Sequence, residues 1–189
     1  VEGDQSPLAG FLYPLMQALD EEYLQVDVQC GGVDQRKIFV FARESLPKLG
    51  YRPRVEIMTP LIPSLTEGGK MSASNLKSKI DLLDSPQDIK KKILAAYCLE
   101  GEVHNGILVF VKYVLMILKG NKKEKFIVHR DKKFGGDISY STYEQIEKDL
   151  AAKKLHPLDL KNAVSEEIIA LLGKIDTKKL AKLANKAYP

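Results

Sequence analysis

VDVQCGGVDQRKIFVFARESLPKLG, residues 26–50, is the stretch that decides the fold. Val26 to Cys30 alternates apolar and polar residues, the period of a short strand. Gly31-Gly32 breaks that period, and Val33 to Leu49 has helical spacing until Gly50, a residue suited to a helix C-terminus. Val55 to Met58 reads as a second strand. Strand, glycine turn, helix, strand is the rhythm of a parallel α/β sheet. Two strands cannot make a stable doubly wound domain. The stretch therefore reads as the C-terminal part of a larger sheet.

Upstream, residues 7–23 read as a helix, with Pro14 either opening its main part or kinking it. Downstream, PLIPSLTEGGKMSAS is rich in Pro, Gly, Ser and Thr and reads as a loop. Beyond it the pattern becomes mainly helical. Pro86–Leu99, Asn105–Leu118, Ser141–Ala152, Asp159–Leu172 and Asp176–Ala187 carry helical periodicity, and Phe126–His129 is a strand candidate. Asp176 is placed to cap the last helix. The expected organisation is an α/β part over residues 1–85 and a mostly helical domain over residues 86–189.

Charge divides the same way. Residues 1–85 hold 9 Lys/Arg and 12 Asp/Glu, a net of −3; residues 86–189 hold 20 and 13, a net of +7. A basic second half suits a polyanion partner, although a solvated basic surface has the same composition. No run reaches the ~18 apolar residues of a membrane helix. The first ten residues, VEGDQSPLAG, lack the basic and apolar regions of a signal peptide. Cys30 and Cys98 lie far apart in apolar surroundings, with no CxxC and no nearby His. They read as buried thiols in a reducing compartment, the cytoplasm, and a metal site is not expected.

Three groups of residues can carry chemistry. Tyr13, Gln17 and Asp20, at i, i+4 and i+7, share one helix face and offer a phenol, an amide and a carboxylate. Spacing alone favours the plainer reading, an amphipathic helix with a solvated stripe. Gly31-Gly32-Val33-Asp34-Gln35 sits where a strand hands over to a helix, a place where a ligand can approach the backbone. The loop Gly68-Gly69-Lys70-Met71-Ser72-Ala73-Ser74 presents a lysine and two hydroxyls on a glycine hinge, a set able to grip a triphosphate. It is not a P-loop, since GxxxxGK[ST] does not occur.

KMSAS resembles the KMSKS signature of class I aminoacyl-tRNA synthetases. YPLMQALDEEYLQVDVQCGGVDQRKIFVFARE and HPLDLKNAV resemble the tyrosyl-tRNA synthetases of archaea and eukaryotes, and the likeness runs in order from Phe11 to Pro189. The resemblance implies a Rossmann-type catalytic domain, of which residues 1–85 are the C-terminal part, followed by an anticodon-binding domain. Tyr13, Gln17, Asp20 and Gln35 match the tyrosine pocket, with Asp20 accepting the substrate hydroxyl proton and the two glutamines holding the amino and carboxylate end. Gly32 and Asp34 match positions that meet the ATP ribose. Lys70 matches the loop lysine that stabilises pyrophosphate, with Met71, Ser72 and Ser74 beside it.

Phe134, in Phe134-Gly135-Gly136-Asp137, and Asp159, in His156-Pro157-Leu158-Asp159, match anticodon-binding segments. Phe134 would stack on the wobble base and Asp159 would accept from a guanine edge. Core packing for Phe134 and an N-cap for Asp159 are the competing readings. The lysine runs 90–92 and 122–125 would add phosphate contacts, or are simply solvated.

The implied reaction joins tyrosine to tRNA(Tyr) through tyrosyl-adenylate, with ATP as substrate, Mg2+ arriving with it, and no protein-bound metal. The family is homodimeric. Two departures stand out. Ala73 occupies a position where the family has Lys or Ser. None of His104, His129 and His156 is followed by the second histidine of a HIGH-like element, so an N-terminal catalytic segment, in the same or a separate chain, is an expected partner. The other expectation is a catalytically inactive tRNA-binding or scaffolding module derived from such an enzyme.

Overall fold

The computed structural model describes residues 8–68, 71, 75 and 77–187. Lys70, Ser72, Ala73 and Ser74 lie outside them. The chain divides into two compact units, Val1–Leu61 and Ile62–Pro189.

In the first unit, α1 (Leu8–Tyr23) leads to β1 (Val28–Gly32), a 3-10 turn (Val33–Gln35), α2 (Arg36–Ser45) and β2 (Val55–Thr59). Pro14 lies inside α1 rather than at its start. The two strands pair in parallel from Val28↔Val55 to Gly32↔Thr59, as the order strand, helix, strand implied, with β1 two residues later than read. A side chain at Gly31 would put its Cβ 2.8 Å from the Phe39 ring, so the first glycine lets α2 close on the sheet. Gly50 ends the following 3-10 turn in the left-handed conformation, φ 85°. Ala18, Ala42 and Leu46 form a small core between α1 and α2. A charged network runs beside it: Arg54 meets Glu22 at 2.6 Å and donates to the Val26 carbonyl at 3.0 Å, and Arg43 meets Glu56 at 2.5 Å. Within this network Glu21 is buried. Its carboxyl is pushed up by desolvation first and by Glu56 second, against the pull of Arg54 and Arg43.

The second unit contains α3 (Pro86–Ala95), α4 (Gly106–Phe110), a π-helical turn (Val111–Leu115), α5 (Met116–Lys122), β3 (Phe126–Val128) and β4 (Ile138–Tyr140). It ends with α6 (Tyr143–Ala151), α7 (Pro157–Leu172) and α8 (Thr177–Ala187). Ile89 and Ile93 of α3, Ile107 and Leu108 of α4, Phe126 of β3, and Leu160 and Val164 of α7 meet in one core. Caps explain the boundaries. Ser85 accepts from the Asp88 N–H, Asn105 from Leu108, and Asp176 from Lys179. The expected helix 86–99 stops at Ala95 because the Tyr97 N–H turns away to the Leu65 carbonyl at 2.7 Å.

That bond also explains why the compact units divide ahead of the boundary read at residues 85/86. Leu65 is buried in the second unit's core, and its N–H bonds the Ser78 carbonyl. Gly106 lets α4 approach this segment closely, since a Cβ there would lie 2.5 Å from the Ser64 carbonyl oxygen. Leu65 and Ser78, which flank the KMSAS stretch in sequence, are therefore bonded to each other, and Leu65 is held in the helical core.

One expectation about the thiols is corrected. Cys98 is buried, and burial pushes its pKa up, but Cys30 is exposed on β1. Among the described residues no helix is long and apolar enough to cross a membrane.

Candidate substrate and RNA sites

The α1 face and the turn after β1 converge in the first unit. The Gln17 amide donates to Gln35 Oε1 at 3.1 Å, across 18 residues of sequence. This leaves Gln17 Oε1 buried with no hydrogen-bond donor among the described residues. A buried amide oxygen without a donor is costly, and an ammonium group is a natural partner for it. Tyr13 and Asp20 lie on exposed parts of α1, Tyr13 with 62% of its surface open. The structure thus joins Gln17 to Gln35 directly and leaves Tyr13 and Asp20 on the open side.

Gly32 has a local reason to be glycine: a Cβ would lie 2.5 Å from Asp34 Oδ1 and 2.7 Å from Leu61 Cδ2. Asp34 itself is exposed in the 3-10 turn. Met71 lines a small apolar cavity of about 90 Å³ with Leu65, Ile80, Ile93 and Ile107 in the second unit. Its side chain therefore packs on the helical core.

Phe134 and Asp159 come together in the second unit. The β3–β4 hairpin pairs antiparallel from Phe126↔Tyr140 to Val128↔Ile138, and its loop carries a 3-10 turn, Lys132–Phe134. Asp131 caps that turn by accepting from the Lys133 N–H at 3.0 Å. Gly135 and Gly136 follow at φ 93° and 72°, conformations that an L side chain rarely adopts. The Phe134 ring, 62% exposed, stands at the tip with Lys133 Nζ 4.9 Å from its centre. It faces a cleft of about 410 Å³ whose other walls are Arg130, Lys153, Lys154, His156, Leu158 and Asp159.

The competing reading of Asp159 as an N-cap does not hold. α7 begins at Pro157, and its cap is His156, whose Nδ1 accepts from the Leu158 N–H at 3.1 Å. Asp159 sits in the first turn, half-buried, with its carboxylate at the cleft. Core packing is equally excluded for Phe134 by its exposure. Sequence reading missed the basic lining, Arg130, Lys153 and Lys154; the Lys-Lys pair ahead of HPLDL was the available signal. Of the two lysine runs, Lys92 is engaged with Asp84 at 2.5 Å, while Lys90 and Lys91 are exposed.

Residues 2–173 match the family model of tRNA synthetases class I (W and Y). The chain belongs to that family. It is 52% identical over 187 residues to the cytoplasmic tyrosine–tRNA ligase of Xenopus laevis, covering 96% of this chain and 34% of that protein. The cytoplasmic tyrosine–tRNA ligase of Saccharomyces cerevisiae is 47% identical, over 96% of this chain and 49% of its own length. Among solved structures, tyrosyl-tRNA synthetase of Pyrococcus horikoshii complexed with L-tyrosine superposes with a TM-score of 0.82 at 35% identity, covering 96% of this chain and 55% of that one. The Archaeoglobus fulgidus enzyme, also complexed with L-tyrosine, gives 0.77 at 42%, covering 94% and 54%. The fold is that of class I tRNA synthetases, and the chain spans between a third and about half of the curated relatives it matches.

Proposed function

We propose that this chain is a portion of a cytoplasmic tyrosine–tRNA ligase, supplying tyrosine- and ribose-binding residues from its first unit and the KMSAS loop and the anticodon-reading residues from its second. The ligases named among its relatives support the activity. The observation that carries the reading is structural: residues assigned to a single ligand are neighbours, Gln17 with Gln35 and Phe134 with Asp159.

In this reading the Rossmann-type catalytic domain is shared between the first unit and an N-terminal segment, and two copies form the enzyme. Asp20 accepts the hydrogen bond of the substrate phenol, and Tyr13 flanks it. A site built around a hydroxyl disfavours phenylalanine, because its own polar groups would remain unpaired. Gln17 Oε1 takes the tyrosine ammonium and Gln35 steadies the carboxylate end. The carboxylate oxygen attacks the α-phosphorus of ATP, which brings Mg2+ with it, and pyrophosphate leaves. Gly32 and Asp34 meet the ribose, while Lys70, Ser72 and Ser74 attend the phosphates, with Met71 beside them in the ATP-binding loop. A terminal ribose hydroxyl of tRNA(Tyr) then attacks the adenylate carbonyl and AMP departs. Positioning and electrostatics do this work without a covalent enzyme intermediate.

The test separates the two sites in the complete ligase. Gln17→Ala should raise the KM for tyrosine in pyrophosphate exchange. Phe134→Ala should leave exchange unchanged and raise the KM for tRNA(Tyr) by about tenfold or more, the loss of one stacking platform. A Phe134→Ala enzyme that charges tRNA normally would remove the anticodon assignment. Normal tRNA binding with no exchange in any assembled form would favour the inactive RNA-binding module instead.

A further inference from the structure

We propose that Arg130 is the positioning residue that sets the width of the RNA cleft, tying the wall that carries Phe134 to the wall that carries Asp159. The inference rests on the RNA-binding reading of this cleft and extends it to a residue that touches neither base-reading group.

Arg130 leaves β3 at the base of the hairpin loop. Its Nε donates to the Gly136 carbonyl at 3.0 Å, on the turn that presents Phe134. Its Nη1 donates to the Lys154 carbonyl at 3.3 Å, on the turn between α6 and α7. That second turn is held firmly, because Lys154 and Leu155 both donate to the Asp149 carbonyl and Leu155 is fully buried. It leads through the His156 cap directly to Asp159. One planar guanidinium therefore links a loop to the anchored turn, and its rigid fork fixes the angle between the two bonds.

The rest of the loop is arranged around this link. Asp137 Oδ1 accepts from the Arg130 backbone N–H at 3.0 Å, and its Oδ2 meets His129 Nδ1 at 2.8 Å. Gly135 packs beside the guanidinium: a Cβ there would lie in ordinary contact, 3.4 Å from Arg130 Nη2. Arg130 is half-buried, whereas Lys153 and Lys154 are exposed. The two lysines are the better phosphate contacts, and the arginine is committed to carbonyls.

Arg130→Lys keeps the charge and loses the two-way link, so it separates a tie from a phosphate contact. In the complete ligase, Arg130→Lys and Arg130→Ala should both raise the KM for tRNA(Tyr), by about tenfold for loss of hydrogen bonds from a charged group. Both should narrow the charging ratio between cognate and wobble-substituted tRNA while leaving pyrophosphate exchange unchanged. Hydrogen exchange gives a reading that needs no RNA: the N–H groups of Phe134, Gly135 and Gly136, which bond within the turn, should exchange faster in both variants. Wild-type exchange at these amides in Arg130→Lys overturns the proposal. So does wild-type tRNA discrimination in Arg130→Lys when Phe134→Ala is impaired. If Phe134→Ala charges normally, the RNA reading falls, and the amide exchange still decides whether Arg130 orders the loop.

Discussion

At residue scale, the capping role read as one alternative for Asp159 belongs to its neighbour His156. A carboxylate at the start of a helix and a histidine ahead of a proline both fit several functions; only the starting point of α7 separates them. With Pro157 as the first helical residue, His156 must satisfy the Leu158 N–H, and Asp159 is released from capping. His156→Ala should therefore cost ~1 kcal/mol of stability, a fall of roughly 2–4 °C in thermal midpoint for a chain of this size. Asp159→Asn should leave the midpoint unchanged, lower charging of cognate tRNA and narrow discrimination against a substituted wobble base. Thermal unfolding and charging assays on the two variants check this; a midpoint that falls in Asp159→Asn would return that residue to a structural role. Gln17 and Gln35 were both singled out by the motif that contains them, and the structure adds the hydrogen bond between them. Arg130 was not, because nothing in its local sequence indicates that two distant carbonyls will meet its fork.

At the scale of elements, long periodic segments were readable and short ones were not. The helices of the second half follow the apolar spacing, yet β4 has only three residues and exists because Phe126–Val128 offers it a partner. The end of α3 depends on a tertiary bond to Leu65 that no local pattern contains. The hairpin that presents Phe134 also carries a titratable pair. The His129 imidazole is pushed up by its hydrogen bond to Asp137, with a further contribution from Glu166 on α7. The Asp137 carboxyl is held down by the Arg130 N–H first and by His129 second. For His129, a raised folded value means that the contribution is complete below its unfolded pKa of about 6.5 and is lost as pH rises through the raised value. For Asp137, a lowered folded value means that the contribution is present above about pH 3.9 and is lost as pH falls through the lowered one. The loop should thus be best ordered between these limits and loosen towards pH 8. Both groups face solvent, so the effect is modest and largest at low salt. Amide exchange of residues 134–136, corrected for its intrinsic pH dependence, should show protection falling from pH 6 to pH 8 in the wild type and staying level in His129→Gln. An equal slope in both would assign the pH dependence elsewhere.

At the scale of the molecule, the two units differ in how far each can sustain itself and in what each can do alone. The second unit buries a continuous apolar core from Leu65 to Ile168, whereas the first has Ala18, Ala42 and Leu46 between two helices and a sheet of two strands. Two-stranded sheets are marginal by themselves, and α1 exposes Phe11, Leu12, Tyr13, Leu15 and Met16. A tyrosine site also needs walls opposite Tyr13 and Asp20, and the sequence contains no HIGH-like pair of histidines to stabilise phosphate charge. The 189-residue polypeptide by itself should therefore form no tyrosyl-adenylate. It should still bind tRNA(Tyr) through the cleft of the second unit, with a salt dependence that reflects its lysines. Adding a polypeptide that supplies the preceding half of the synthetase fold should restore tyrosine-dependent pyrophosphate exchange. Amide exchange should show the cause, with β1 and β2 poorly protected in the lone chain and protected after addition, while α3 and α7 remain protected throughout. Strong exchange of pyrophosphate by the lone chain would mean that the first unit holds a complete site. Protection of β1–β2 without restored chemistry would place the deficit in the KMSAS loop, where Ala73→Ser is the first substitution to try.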